Sequence, residues 1–129
     1  MSNRIPWVLS LIAFLCGTSA AAHHSFAAIF DSAKPVTLTG TVTRIEWMNP
    51  HTWLYLDVPK NDGAIEAWAF EMGSPNRLMR YGWNQNSLPA GQVVTIAGSQ
   101  ARDGSLKAAV DTVTLPDGKR LFGAQDTSQ

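Results

Sequence analysis

Every second residue from 36 to 43 is a threonine, and the residues between them are apolar or glycine. This alternation predicts a strand with one face in a core and the other in solvent. The apolar positions then change parity, because Ile45 and Trp47 are odd-numbered. A change of phase within a strand indicates a β-bulge, and Gly40 permits a sharp bend. The sequence therefore predicts a long, bent first strand over 36–48, as closing a small barrel requires.

Four further strands and a helix follow, separated by turns rich in proline, asparagine, aspartate and glycine. The predicted strands are 51–58, 64–72, 92–101 and 106–115, with a short last segment at 120–122. Ser74 and Pro75 are typical of the N-cap and first residue of a short helix. Its predicted buried side consists of Leu78, Met79, Tyr81 and Trp83.

The predicted order is three strands, a helix and two strands. We therefore expect an all-β fold with one short helix, a five-stranded OB-like Greek-key barrel of order β-β-β-α-β-β. An open α+β sheet and a plain β-sandwich are the alternatives. The length without the first 22 residues suits a single domain.

The N-terminus has the three parts of a secretory signal peptide. Arg4 supplies a positive charge, residues 5–16 are mostly apolar, and small residues lead to Ala22. The apolar run is too short to span a bilayer, which needs about 20 residues. We predict a bacterial protein exported by the Sec pathway, periplasmic or secreted. Cleavage after Ala22 or Ala21 would leave no membrane span.

These signals divide the chain into four parts. Residues 1–22 are predicted to be the signal peptide and 23–35 an N-terminal arm, whose Phe26 and Phe30 form a helical turn or fill a hole in the body. The OB-like barrel covers 36–122, and 123–129 form a disordered tail.

Charge and cysteine content exclude several function classes. The chain has ten basic and ten acidic residues, so it lacks the basic excess of a general nucleic-acid binder. Its one cysteine, Cys16, leaves with the signal peptide. The mature chain therefore has neither a disulfide nor a thiolate ligand, and its core depends on packing.

Four short motifs carry a family resemblance: HHSF at 23–26, NPH at 49–51, GSPN at 73–76 and LPDG at 115–118. Together they resemble a family of small bacterial secreted proteins with a domain of unknown function. The resemblance extends over nearly all of 23–122 and implies an exported bacterial domain. It implies no catalytic residue.

The histidines predict a copper site made of His23, His24 and His51 in some subset. If His23 is the first mature residue, its amine and ring chelate Cu(II), and His51 is the natural third nitrogen ligand. If Ala22 is first, His24 at position three binds Cu(II) in a square plane with backbone nitrogens. Two alternatives stay open: a terminal His-His that binds copper weakly, and an imidazole at 51 that caps a turn or hydrogen-bonds a carboxylate.

A second hypothesis needs no metal. Trp53 and Tyr55 are where OB-folds stack ligands, although filling the core is the simpler role for such side chains. Arg77 and Arg80 are i, i+3 neighbours suited to an anion or to an ordinary solvated face. The partner in this case is a small ligand or another envelope protein.

We expect binding rather than catalysis. Asp57, Glu66 and Glu71 are interpreted as solvated strand positions, because their spacing shows no pairing. A triad of Ser25 or Ser74 with His51 and Asp57 lacks any G-x-S-x-G context.

Overall fold

The structure, a computed structural model, describes residues 25–125 and is mostly β, as the alternation predicts. Helix α1 (Ser25–Ile29) precedes the first strand, and α2 (Pro75–Arg80) lies between the third and fourth. The strands are β1 (Phe30–Glu46), β2 (Trp53–Pro59), β3 (Ile65–Glu71), β4 (Val93–Ala101), β5 (Lys107–Thr114) and β6 (Arg120–Phe122). The predicted signal peptide, His23, His24 and residues 126–129 lie outside the described residues.

The six strands form one sheet in the order β3-β2-β1-β4-β5-β6, with antiparallel neighbours. A further, parallel pairing joins β3 to β5, matching Ala69 with Lys107 and Glu71 with Ala109. The pairings therefore run from β1 through β2, β3, β5 and β4 back to β1. One face of this circuit holds the core.

Strand β1 is longer than predicted, because it begins at Phe30 rather than at residue 36. Phe30 itself is fully buried and packs with Ala101 and Ala109, which places the end of the predicted arm in the sheet. The predicted bulge is confirmed, since the register with β2 shifts between Val42 and Arg44. The other strand bounds fall within two residues of the predicted ones.

The core takes its side chains from alternate strand positions. Leu54, Leu56 and Val58 of β2 are buried, whereas Trp53 and Tyr55 alternate with them on the other face. Trp68 and Phe70 share the buried face of β3 and stack with ring centroids 5.9 Å apart. Filling the interior with aromatic rings buries a large area per residue in a domain without disulfides.

Helix α2 begins as predicted but buries fewer side chains. Ser74 is the N-cap, and Gly82 has the positive φ of 86° that commonly follows a helix end. Leu78 and Trp83 are buried, as predicted, but Met79 and Tyr81 are about half exposed, so their predicted burial is wrong. A six-residue helix presents less than two turns to the sheet, and of its residues only Pro75 and Leu78 are buried.

The segment after β6 is packed against the body, although the sequence predicts that a disordered tail begins at residue 123. Gly123 and Ala124 are buried, and the N–H of Gly73 donates to the carbonyl of Gly123 at 2.8 Å. A side chain at Gly73 would collide with the carbonyl of Ala124. This close approach requires glycine.

No helix within residues 25–125 has the length and apolar character to cross a membrane.

Gly98 provides a test of the packing between β4 and β5. An added Cβ would collide with the carbonyl oxygen of Ala109. We expect Gly98→Ala to lower the free energy of unfolding by about 1–3 kcal/mol. Urea denaturation monitored by tryptophan fluorescence measures this. Ala97→Ser, next to it on the half-buried face of β4, is the control and should change stability by less than about 0.5 kcal/mol. Equal stability of Gly98→Ala and the parent would contradict the close contact.

Candidate functional site

His51, the one histidine within residues 25–125, lies against a buried carboxylate. The chain extends the β2–β3 ladder past its last paired residues, because the N–H of Thr52 donates to the carbonyl of Gly73 and the N–H of Met72 donates to that of Thr52. This backbone pairing places His51 beside the end of β3, where its Nδ1 contacts Oε1 of Glu71. The contact assigns a proton to Nδ1.

Exposure differs strongly between the two side chains. The side chain of Glu71 is 9% exposed and that of His51 is 42% exposed. Burial raises the pKa of Glu71 above its ordinary value of 4.5, and the charges of His51 and Lys107 oppose that rise without cancelling it. An ionised Glu71 is therefore poorly solvated and is stabilised by positive charge on the imidazole beside it. The interpretation of Glu71 as a solvated strand position is wrong.

The predicted aromatic pair lies on the outer face of the sheet. Trp53 and Tyr55 are half-buried and alternate with the core residues of β2. Trp53 is matched in register with Glu46 on one side and Glu71 on the other. Since side chains directly opposite each other share a face, the indole lies between two carboxylates.

Tyr55 is already engaged by its neighbours. Its hydroxyl donates to Oε2 of Glu46 at 3.1 Å, and the Arg44 guanidinium lies 3.5 Å from the centre of its ring. Arg44 Nε also bonds Oε1 of Glu46 at 3.0 Å, closing a three-residue network. The bulge in β1 causes this arrangement, because it turns Arg44 and Glu46 to the outer face. The ring face covered by Arg44 is not open for ligand stacking.

We define the outer cluster as Glu46, His51, Trp53, Tyr55 and Glu71. All five residues lie on one face at the end of the β1–β2–β3 part of the sheet. Within residues 25–125, no three histidine, cysteine or acidic side chains are grouped so as to hold a metal ion. A complete metal site at this cluster therefore needs ligands from outside that range.

The two predicted arginines lie on a different element. Arg77 uses its guanidinium to donate to the carbonyl of Gln125 at 3.2 Å, and its backbone N–H donates to Ser74 Oγ. Arg80 is exposed in the last turn of α2. The N-cap role of Ser74 also occupies the hydroxyl that the triad hypothesis would use.

The remaining predicted carboxylates differ from Glu71. Asp57 is exposed, as predicted. Glu66 is half-buried, accepts a hydrogen bond from the indole of Trp68 at 3.0 Å and pairs with Lys60 at 3.4 Å. Sequence reasoning missed Glu46 as a member of the outer cluster. The signal that could have found it is the parity change in β1, which puts Glu46 on the face of Arg44.

Comparison with known proteins gives a family and no activity. A family model described as a family of unknown function, DUF6152, matches residues 12–110. The matched range includes all three histidines. No curated protein matches the chain.

The Tyr55 network predicts an unusual phenol titration. Burial, followed by the hydrogen bond to Glu46 and its charge, raises the pKa of Tyr55 above 10.0, while Arg44 opposes the rise. The stability that this phenol contributes is complete below pH 10 and is lost as pH rises through the folded-state pKa. Ultraviolet titration of phenolate absorbance, with Tyr55→Phe to assign the transition, measures it.

In the same titration, Glu46→Gln should lower the Tyr55 pKa, because it removes the charge and weakens the hydrogen bond that help to raise it. A Tyr55 transition that is unchanged in Glu46→Gln would contradict the network.

The position of Trp53 on the outer face leads to a prediction about stability. Trp68 is 5% exposed in the core, and truncating such a side chain to alanine costs about 3–5 kcal/mol. Because Trp53 lies outside the core cluster, Trp53→Ala should cost less than half as much as Trp68→Ala and keep the fold. Chemical denaturation of both variants and circular dichroism test this. Equal losses would assign Trp53 to the core.

Proposed function

We propose that this chain, which belongs to the DUF6152 family of unknown function, is an exported binding module for Cu(II). In this proposal the signal peptide directs it to the periplasm or the exterior. The mature N-terminus and His51 then bind the metal, and the role is metal handling rather than catalysis.

We take the body of the module to be an OB-like barrel. The circuit of pairings through β1, β2, β3, β5 and β4 supports this, with α2 between β3 and β4. Five strands in that connectivity, closed by a parallel β3–β5 pairing, fit a five-stranded Greek-key barrel. The outer cluster then lies at one end of the barrel.

The observation that carries the proposal is the His51–Glu71 contact. Histidines that bind metals commonly donate one ring N–H to a carboxylate, which fixes the ring and raises the basicity of the other nitrogen. Here Nδ1 faces Glu71, and the ring is 42% exposed. Nε2 is therefore the ligand atom, and a cation on it offsets the poorly solvated carboxylate behind it.

In this proposal the other ligands come from the N-terminus, and α1, which follows it in the sequence, packs near Glu71. Phe26 of α1 packs against a small cluster that includes Ala109, and Ala109 is matched in register with Glu71. His23 and His24 directly precede α1 in the sequence, and each residue extends the chain by at most about 3.6 Å. This short tether supports a site shared between the terminus and the carboxylate-bound imidazole.

Two versions of the site follow from the cleavage position. A chain that starts at His23 offers its amine and ring, with His51 as third nitrogen ligand. A chain that starts at Ala22 offers the amine, two backbone nitrogens and His24. Nitrogen-rich planar sets of this kind suit Cu(II).

A metal-free alternative is favoured by one observation, the outer position of Trp53. Half-buried between Glu46 and Glu71, this indole lies outside the core and leaves part of its surface open for stacking. In that case the outer cluster binds a small ligand or another envelope protein. Stacking would then use Trp53 rather than Tyr55.

Copper titration of the exported protein tests the proposal, with intact mass giving the first residue. We expect one tightly bound Cu(II) per chain and a loss of affinity of more than tenfold in His51→Ala. His51→Gln is the matched control for folding, because its amide can still donate to Glu71 but it has no ring nitrogen. Glu71→Gln should weaken binding by about tenfold through loss of the supporting carboxylate.

Three outcomes decide between the versions. Loss of affinity in both His51→Ala and His51→Gln supports His51 as a ligand. Unchanged affinity in both, with loss in His24→Ala, leaves a terminal chelate and removes His51 from the site. A parent protein that binds no stoichiometric copper ends the metal proposal.

A further inference from the structure

A groove of about 290 Å³ lies away from the outer cluster, between α2, β5 and the segment after β6. Its walls include Tyr81, Asp111, Phe122 and Gln125. Asp111 is the single carboxylate among the residues that line it, and none of them is lysine, arginine or histidine. The copper proposal uses none of these residues.

A bulge in β5 presents Asp111 to the groove. The register with β4 matches Thr112 with Ala97 and Val110 with Gly98, so Asp111 has no partner on β4. Val110 and Thr112 are buried, whereas Asp111 between them is exposed. β-Bulges re-aim one side chain out of the regular alternation and are common next to functional sites.

The carboxylate of Asp111 has no counter-charge in the described part of the chain. Within residues 25–125 it makes no ion pair. Although the residue is exposed, partial burial of its carboxylate, the sole cause found, raises its pKa above 3.8. The guanidinium groups that contact groove residues bond neutral oxygen atoms there, since Arg120 donates to Thr112 Oγ1 at 3.4 Å and Arg77 to the carbonyl of Gln125. A partly desolvated anion without a partner favours a positively charged ligand.

Two exposed aromatic rings border the same groove. The exposed fractions are 51% for Tyr81 and 57% for Phe122, and their ring centroids are 6.4 Å apart with a tilt of 55°. Aromatic faces attract cations, and recognition of quaternary ammonium groups by aromatic side chains is a common use of this attraction. Carboxylate and rings together select a cation that also has an apolar surface.

We propose that the groove binds an organic cation of the quaternary or alkyl ammonium class. The charged head faces Asp111, and its methyl groups contact Tyr81 and Phe122. An anionic ligand is disfavoured by the carboxylate. A neutral apolar ligand would leave that carboxylate further desolvated without compensation.

Titration with choline, followed by NMR chemical shifts of the mature protein, tests the inference. The matched neutral probe is 3,3-dimethylbutan-1-ol, which has nearly the same shape without the charge. We expect choline to shift the signals of Asp111 and Phe122 and to bind at least tenfold more tightly than the alcohol. Equal binding of the two probes, or no binding of choline, overturns the proposal.

Two variants separate the groove from general charge effects. Asp111→Asn should weaken choline binding at least tenfold, and Phe122→Leu severalfold. Asp57→Asn is the control, since it removes the same charge from an exposed site that does not line the groove. Equal losses in Asp111→Asn and Asp57→Asn would reduce the effect to net charge and contradict the site.

Free cations and lipid headgroups share this chemistry, and vesicles distinguish them. If the physiological source is a headgroup, the protein co-sediments with phosphatidylcholine vesicles, and Asp111→Asn abolishes the binding. If it is a soluble cation, choline binds while the vesicles do not retain the protein. Both outcomes support the groove as a cation site and differ in the ligand that it serves.

Discussion

Strand β1 pairs with two strands, and the rest of the sheet depends on that double pairing. Its first part is matched with β4 and its last part with β2, with Thr41 paired to both. At the crossing, a Cβ on Gly40 would lie 2.6 Å from the carbonyl oxygen of Asp57, so the strands meet this closely only because the residue is glycine. The bulge that follows keeps Ile45 against the core and turns Arg44 and Glu46 outward. Without it, the outer cluster would lose Glu46.

Much of this arrangement can be predicted from the local sequence, because it depends on interactions between residues that are close together in the chain. The parity change in β1 is visible because one face is solvated and threonines mark it. Ser74 as N-cap and the glycine turns are also recognisable, since each satisfies backbone groups near in sequence. The exposure of Tyr81 depends instead on where α2 packs against the sheet. No local sequence pattern determines that position.

The sequence does not predict the surroundings of Asp111 and Glu71, and the reason is the same for both carboxylates. Strand β5 is covered on both faces, because Val110 enters the main core while Ala109 packs with Phe30. A strand buried on both sides has no alternation, so the bulge at Asp111 leaves no mark in the sequence. Likewise, the burial of Glu71 follows from its tertiary partners, since it lies at the end of β3 between Trp53 and Ala109.

The same electrostatic argument applies to Glu71 and Asp111, but the two carboxylates have different neighbours. Burial raises the pKa of both, so each favours a positive charge nearby. Glu71 has the imidazole of His51 beside it, whereas Asp111 faces an open groove with two aromatic rings. Gln125 contacts both regions, because its side-chain amide donates to the carbonyl of Glu71 and the residue also lines the groove. The packed C-terminal segment therefore contacts both the backbone of Glu71 and the groove that Asp111 faces.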